Sequence, residues 1–129
     1  MKSYVIIKFG KGLFVKASND CQVSLIGYLL ADDISIYSAK KRIHWLLNTP
    51  PDAHTSSNHT FMEKEDGKVV VSSLFDKDPY ERAFIAPIPA MIDLLEQWDD
   101  VCKTNPDEVT IYYEDGKFKV EGRRQENFE

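Results

Sequence analysis

The sequence predicts a single α+β domain, in which antiparallel hairpins form one curved sheet packed by one long and one shorter helix. Two kinds of local pattern predict this class: β-rich runs that flank short glycine-containing turns, and segments whose apolar residues recur at helical spacing. The chain has 129 residues, 43% hydrophobic and 12% aromatic, which is enough for one core. We expect residues 1–122 to form this domain and the polar residues 123–129 to form a frayed tail.

The N-terminal part contains one predicted hairpin and one ambiguous segment. Residues 4–9 and 13–16 are β-rich, and the Gly-Lys-Gly turn at residues 10–12 can adopt the positive φ values that a tight connection needs. Residues 23–30 are apolar and fit either a buried strand or a helix. Gly27 within this run favours the strand, because glycine weakens a helix.

A short helix is predicted over residues 38–48. Ser38 is a suitable N-cap, the apolar residues that follow it recur at helical spacing, and the pair Pro50 and Pro51 stops the pattern. Residues 49–60 are rich in Pro, Ser, Thr and Asn and are therefore predicted to form a polar loop.

Two Asp-Gly pairs, at residues 66–67 and 115–116, predict two tight hairpins, because Asp-Gly suits a two-residue type I′ turn. The flanking runs are residues 60–65 and 68–75 for the first hairpin, and residues 109–114 and 117–121 for the second. The second turn pairs Tyr113 with Phe118, and the side chains that share their face are apolar and directed at the core. Tyr112 alternates to the other face, which meets water.

The longest helix is predicted over residues 89–103. Its apolar side chains form one continuous stripe of Met91, Leu94, Leu95, Trp98, Val101 and Cys102. Asp93, Glu96 and Asp100 lie on the opposite side, so burial of the stripe pushes these acids into solvent. The Asn-Pro-Asp-Glu link at residues 105–108 leads directly into the next strand and extends the acidic surface.

Charge is unevenly distributed along the chain. Residues 1–64 contain eight Lys/Arg and five Asp/Glu, whereas residues 65–129 contain eight and sixteen, which together give the net charge of −5. A negative field repels nucleic acid phosphates and attracts basic partners, so we expect a protein partner and no direct binding of nucleic acid. We also expect a cytoplasmic protein that does not insert into a membrane, because the N-terminus does not resemble a signal peptide and no apolar run approaches ~20 residues.

Sequence signatures of catalysis are missing: the chain has no phosphate-binding glycine loop, no HExxH and no CxxC. Cys21 and Cys102 are interpreted as ordinary thiols. One alternative hypothesis is a small enzyme that uses Asp52, His54 and His59 of the polar loop. Another is a non-catalytic subunit of a larger assembly. The favoured interpretation is a binding protein without cofactor or metal.

The segment FIAPIPAMIDLLEQWDDVCKTNPDEVTIYYEDGKFKVEG, residues 84–122, resembles the C-terminal part of small bacterial immunity proteins, the cytoplasmic inhibitors that accompany contact-dependent growth inhibition and other polymorphic toxins. The resemblance covers about a third of the chain and consists of an acidic amphipathic helix, an N-P-D-E link and a D-G hairpin. It implies a protein that binds one cognate toxin, often a basic nuclease and here an expected RNase, and blocks its active site or substrate channel.

Charge and expected exposure, and not the resemblance, select the candidate partner-binding residues. A tyrosine beside carboxylates suits an interface with a basic partner, since the ring contributes buried area and the acids pair with Lys and Arg. The candidates are Asp93, Glu96, Asp100, Asp107, Glu108, Tyr112 and Glu114. No catalytic residue is nominated.

Overall fold

A computed structural model describes residues 3–9, 14–18, 23–34, 39–56, 60–74 and 83–124. Its elements are β1 (Ser3–Lys8), β2 (Phe14–Ala17), α1 (Ser24–Tyr28) continued by a π-helical segment (Leu29–Ile34), α2 (Ala39–Asn48), β3 (His54–Ser56), β4 (Thr60–Glu65), β5 (Lys68–Ser73), β6 (Ala83–Pro87), α3 (Ile88–Cys102), β7 (Glu108–Glu114) and β8 (Lys117–Arg123). The predicted α+β class is confirmed: helices pack with antiparallel sheets around one core.

The prediction of one curved sheet is wrong, because the strands form two four-stranded sheets. Sheet A has the order β2-β1-β7-β8 and sheet B the order β3-β4-β5-β6. Two strands that the sequence did not predict cause the separation. β3 pairs with β4 and β6 pairs with β5, so both sides of the first Asp-Gly hairpin are occupied and sheet A cannot join it. β3 also corrects the predicted loop over residues 49–60.

Both Asp-Gly hairpins are confirmed with the expected turns. Asp66 and Gly67 have φ values of 50° and 75°, and Asp115 and Gly116 have 54° and 75°. Positive φ at both central residues is typical of a type I′ turn. The predicted pairing of Tyr113 with Phe118 is confirmed as well. The predicted N-terminal hairpin of β1 and β2 also forms, and its turn at residues 10–12 lies outside the described residues.

The preference for a strand over residues 23–30 is wrong: this segment is α1 and the start of the π-helical turn. Glycine is required at position 27 because α1 lies very close to β1 and β2 of sheet A. A Cβ at this position would lie 2.7 Å from Cγ1 of Val15 and 2.7 Å from Cγ2 of Val5. The missing side chain therefore lets α1 lie directly on β1 and β2, and this packing outweighs the low helix propensity of glycine.

The helix α3 matches the predicted range within one residue at each end. Met91, Leu94, Leu95 and Trp98 are fully buried, and Cys102 is nearly so. The remaining residue of the stripe, Val101, is half-buried, and its Cγ1 would lie 2.7 Å from a Cβ on Gly122 of β8. The stripe thus fixes α3 against the core side of sheet A.

The helix α2 is confirmed, and a buried lysine holds its C-terminal end. Lys64 of β4 is 6% exposed, and its Nζ donates to the carbonyl of Leu46 at 2.7 Å and to the carbonyl of Thr49 at 2.9 Å. A third hydrogen bond reaches Oγ1 of Thr49 at 3.1 Å. These carbonyls have no partner within the helix, and a cation at a helix C-terminus is electrostatically favourable.

β8 includes Arg123, the first residue assigned to the polar tail from the sequence. Nε of Arg124 donates to the carbonyl of Asn105 at 3.2 Å. Residues 125–129 lie outside the described residues, as do Ser38 and Cys21. Of the helices in the described residues, none combines the length and the apolar character that crossing a membrane requires.

Candidate functional site

The acidic side of α3 is exposed, as predicted. Asp93, Glu96 and Asp100 lie opposite the buried stripe, and all three are in contact with solvent. In the part of the chain that the structure describes, no basic side chain lies within 4.0 Å of Glu96 or Asp100. Lys103, directly after the C-terminal end of α3, pairs instead with Asp99, and its Nζ is 3.1 Å from Oδ2 of Asp99. The charges of Glu96 and Asp100 are thus available to a partner.

Gln97 ties α3 to the free edge of sheet A. Its Nε2 donates to the carbonyl of Phe118 at 3.0 Å, and the backbone N–H of Val120 donates to its Oε1 at 2.9 Å. β8 is the edge strand, and these two backbone groups point away from its neighbour β7. The amide of Gln97 therefore pairs with the edge as a further strand would.

The same Nε2 donates to Oδ2 of Asp93 at 2.8 Å. Asp93 is one helical turn before Gln97, so its carboxylate orients the amide and lies beside the edge of β8. This local structural contact distinguishes Asp93 from Glu96 and Asp100. Sequence analysis missed Gln97, because the strand edge that it reaches is 21 to 23 residues further along the chain and exists only in the fold.

The outer face of sheet A, which points away from the core, carries Glu108, Tyr112 and Glu114. The register places bases beside both carboxylates on this face. Lys117 lies opposite Glu114, while Glu108 lies between Arg123 and Lys8. Nζ of Lys8 is 3.9 Å from Oε1 of Glu108.

Bases outnumber acids on this outer face. By register, five bases share it with three acids: Lys8, Lys16, Lys117, Lys119 and Arg123 against Glu108, Glu114 and Glu121. The acidic surface expected to continue from α3 through β7 is therefore interrupted by positive charge. The sequence could not show this, because the pairing of β1 with β7 joins residues from opposite ends of the chain.

A depression of about 550 Å³ lies at the centre of the outer face. It lies among three rows of cross-strand neighbours, and the residues of these rows that line it are Tyr4, Tyr112, Ile6, Thr110, Glu121, Glu108 and Arg123. The short side chain of Thr110 is at the middle of this grid, between longer side chains on every side. The depression therefore follows from one small residue among large ones.

A second depression of about 300 Å³ adjoins the first and shares Glu108 and Arg123 with it. Asp107 lines this second depression together with Phe9. Asp107 is exposed at the start of β7, and its backbone N–H donates to the carbonyl of Arg123 at 2.9 Å. Asp107, Glu108 and Tyr112 thus line these two adjoining depressions, and Glu114 lies at the hairpin end of the outer face.

The edge strand β8 separates this outer face from α3, which lies on the core side of sheet A. Gln97 contacts the backbone of Phe118 and Val120, and Lys119 between them turns its side chain to the outer face. Neighbouring strands are about 4.8 Å apart, so Tyr4 on β1 is roughly 10 Å from this edge.

The residues of the alternative enzymatic site are placed differently. Asp52 is exposed in the turn before β3, and His54 on β3 has its ring centroid 5.6 Å from that of Phe61. His59 lies outside the described residues. Among the residues that the structure does describe, no group of three or more His, Cys, Asp or Glu side chains could hold a metal ion.

Cys102 faces the interior, at the end of the buried stripe. Burial, and to a smaller extent the neighbouring Asp99 carboxylate, raise the pKa of the Cys102 thiol from 9.0 to about 12. The thiol is therefore protonated at neutral pH and is a weak nucleophile. This agrees with its interpretation as an ordinary core residue.

Comparisons with models of protein families, with curated proteins and with solved structures find no match to this chain.

Proposed function

We propose that this chain is a non-catalytic cytoplasmic inhibitor, an immunity protein that binds a basic toxin domain and occludes its active site or substrate channel. The observation that carries the proposal is the exposed acidic side of α3, where Glu96 and Asp100 have no base beside them in the described residues. The resemblance of residues 84–122 to immunity proteins supports the same function and favours a nuclease, in particular an RNase, as the toxin.

The chemistry of a nuclease explains why exposed carboxylates would inhibit it. A nuclease binds the phosphates of its substrate with Lys and Arg side chains, and these bases also form strong charge-assisted hydrogen bonds with carboxylates. Glu96 and Asp100 are four residues apart, which is about 6 Å along a helix axis. They can therefore engage two neighbouring bases of a substrate channel at the same time.

The rigidity of α3 supports tight binding. The helix is fixed by its buried stripe on one side and by Gln97 on another, so its exposed carboxylates project from an ordered backbone. Binding then requires little additional ordering of the protein, and ordering is one of the main costs of association.

The decisive experiment starts from the gene neighbourhood. We expect the gene immediately upstream to encode a large protein that ends in a basic nuclease domain. That domain, purified, should bind this chain in a one-to-one complex by calorimetry and lose its RNase activity. A neighbourhood without a toxin gene, or a toxin domain that stays active with excess inhibitor, contradicts the proposal.

A matched pair of variants tests the acidic side of α3. Glu96→Lys with Asp100→Lys should slow association at least tenfold at low salt, because charge complementarity acts mainly on the association rate. The control is Asp52→Lys with Glu65→Lys, two exposed acids elsewhere. Each reversal adds two charges, so both variants change the net charge from −5 to −1. Equal effects of the two variants would show that only net charge matters and would remove α3 from the interface.

No observation favours the enzymatic alternative or a role as a subunit of a larger assembly. Toxin protection in cells separates these possibilities. An immunity protein rescues growth of cells that express the toxin domain, and neither a small enzyme nor a structural subunit does so.

A further inference from the structure

The central depression of sheet A has a composition that suits one kind of side chain. Tyr4 and Tyr112, direct neighbours on β1 and β7, line one end of it. Glu108 and Glu121 line the other sides, and the hydroxyl-bearing Thr110 forms the floor. Aromatic faces and carboxylates together attract a cation, through the ring quadrupole and through ion pairs.

The carboxylates of the depression are held by internal contacts that an incoming group can replace. Nζ of Lys119 is 3.2 Å from Oε1 of Glu121, and these side chains are 71% and 49% exposed. Lys8, which is 56% exposed, is 3.9 Å from Oε1 of Glu108, which is 24% exposed. Both pairs involve an exposed lysine, and such ion pairs contribute little stability, so replacement of the lysine costs little.

A guanidinium fits this site better than an ammonium does. It is planar, can stack on a tyrosine ring, and can form two parallel hydrogen bonds with a carboxylate. It is also less strongly hydrated than an ammonium and so loses less on entering a half-buried site. A phosphate fits poorly, because two carboxylates line the depression and Arg123 is the one base that lines it among the described residues.

We propose that this depression is the anchor site for an arginine side chain of the protein partner, which inserts between Tyr112 and Glu121 above Thr110. The inference rests on the proposed function, in which the partner is a basic protein. It deepens that function, because it assigns the specific contact to sheet A and the long-range attraction to α3.

The site can be tested without the toxin. The probe is arginine capped at both ends, added to the ¹⁵N-labelled full chain at concentrations on the order of millimolar, since a single side chain binds weakly. Backbone amide signals of Ile6, Thr110 and Tyr112 should shift and saturate. Capped lysine should bind at least threefold more weakly. The proposal is overturned if these signals do not move, or if a single-stranded oligouridine moves them and capped arginine does not.

Three variants give the specificity of the site. Glu108→Gln with Glu121→Gln should weaken the binding of capped arginine about tenfold, whereas Asp52→Asn with Glu65→Gln, the same change of net charge elsewhere, should not. Thr110→Leu fills the floor of the depression and should abolish binding. Unchanged binding in the first or the third variant would show that capped arginine does not occupy this depression.

The toxin domain separates this inference from the proposed function. A toxin that is neutralised by the wild-type protein and equally well by Thr110→Leu would refute the anchor site and leave the proposed function intact. A depression that binds capped arginine, in a protein that neutralises no toxin, would refute the proposed function and leave an arginine site with another basic partner.

Discussion

The two Asp-Gly hairpins share a turn and differ in almost everything else. In both, the two turn residues have positive φ, and the strands pair from the residues that flank the turn. β5, however, is buried at four consecutive positions from Val69 to Ser72, whereas β8 alternates between buried and exposed. The first hairpin lies in the middle of sheet B, and the second ends sheet A.

The hairpins also differ in the polar side chain that connects them to a helix. Lys64, within β4, reaches out to the C-terminal carbonyls of α2. In the second hairpin the direction is reversed, since Gln97 of α3 reaches the backbone of β8. A turn sequence thus sets the register of a hairpin, while distant polar groups decide how the hairpin is fixed in the protein.

Replacement of Lys64 should cost the most stability. Lys64→Met keeps the length of the side chain but leaves the carbonyls of Leu46 and Thr49 without this donor. We expect a loss of about 2–4 kcal/mol in the free energy of unfolding, because buried acceptors lose hydrogen bonds to a charged group. Urea denaturation measures it, with the exposed Lys68→Met as the control. A loss below about 0.5 kcal/mol would show that the contact does not fix the first hairpin.

The next effect concerns Gln97 and depends on pH. Gln97→Glu replaces the Nε2 donor by an oxygen that faces the carboxylate of Asp93 and the carbonyl of Phe118. Both neighbours disfavour the ionised form, so the pKa of the introduced carboxyl should be raised above its ordinary value of about 4.3. The stability that the protonated carboxyl contributes is fully present below the ordinary pKa, and it is lost as the pH rises through the raised pKa.

At pH 7 we therefore expect Gln97→Glu to be about 2–3 kcal/mol less stable than the wild type, and to recover much of this difference near pH 4. Gln97→Ala is the matched control: it loses the hydrogen bonds of Nε2 and also the one that Oε1 accepts from Val120, without adding a charge, so its deficit of about 1–2 kcal/mol should not change with pH. Urea denaturation at both pH values measures this. Parallel pH profiles for the two variants would show that Asp93 and Phe118 do not face this group.

The smallest effect tests what the hairpins share. Gly67→Ala and Gly116→Ala each place a side chain at φ 75°, and in both turns a Cβ would have no atom within 4 Å. Only backbone strain remains, so each variant should lose about 1 kcal/mol, and the two losses should agree within about 0.5 kcal/mol. Thermal or urea denaturation gives both values. Clearly unequal losses would mean that the surroundings, and not the turn alone, determine the cost.

The sequence determined the local features of this protein. The Asp-Gly turns, the stripe of α3 and the exposure of Glu96 and Asp100 follow from periodicity and turn chemistry within short segments, so no distant contact was needed to predict them. Residues 23–30 mark the limit of such reasoning. Their apolar run fits both a strand and a helix, and only the close contact of Gly27 with Val5 and Val15 selects the helix.

The way in which these parts combine depends on contacts that form only in the fold. The separation into two sheets depends on β3 and β6, which fill both sides of the first hairpin. The bases beside Glu108 depend on β1 and β8, and the depression over Thr110 depends on the pairing of β1 with β7. The roles of Lys64 and Gln97 likewise depend on partners 15 to 23 residues away in sequence. Such contacts join segments that the local pattern treats as independent, and the packing of one shared core selects among the ways to join them.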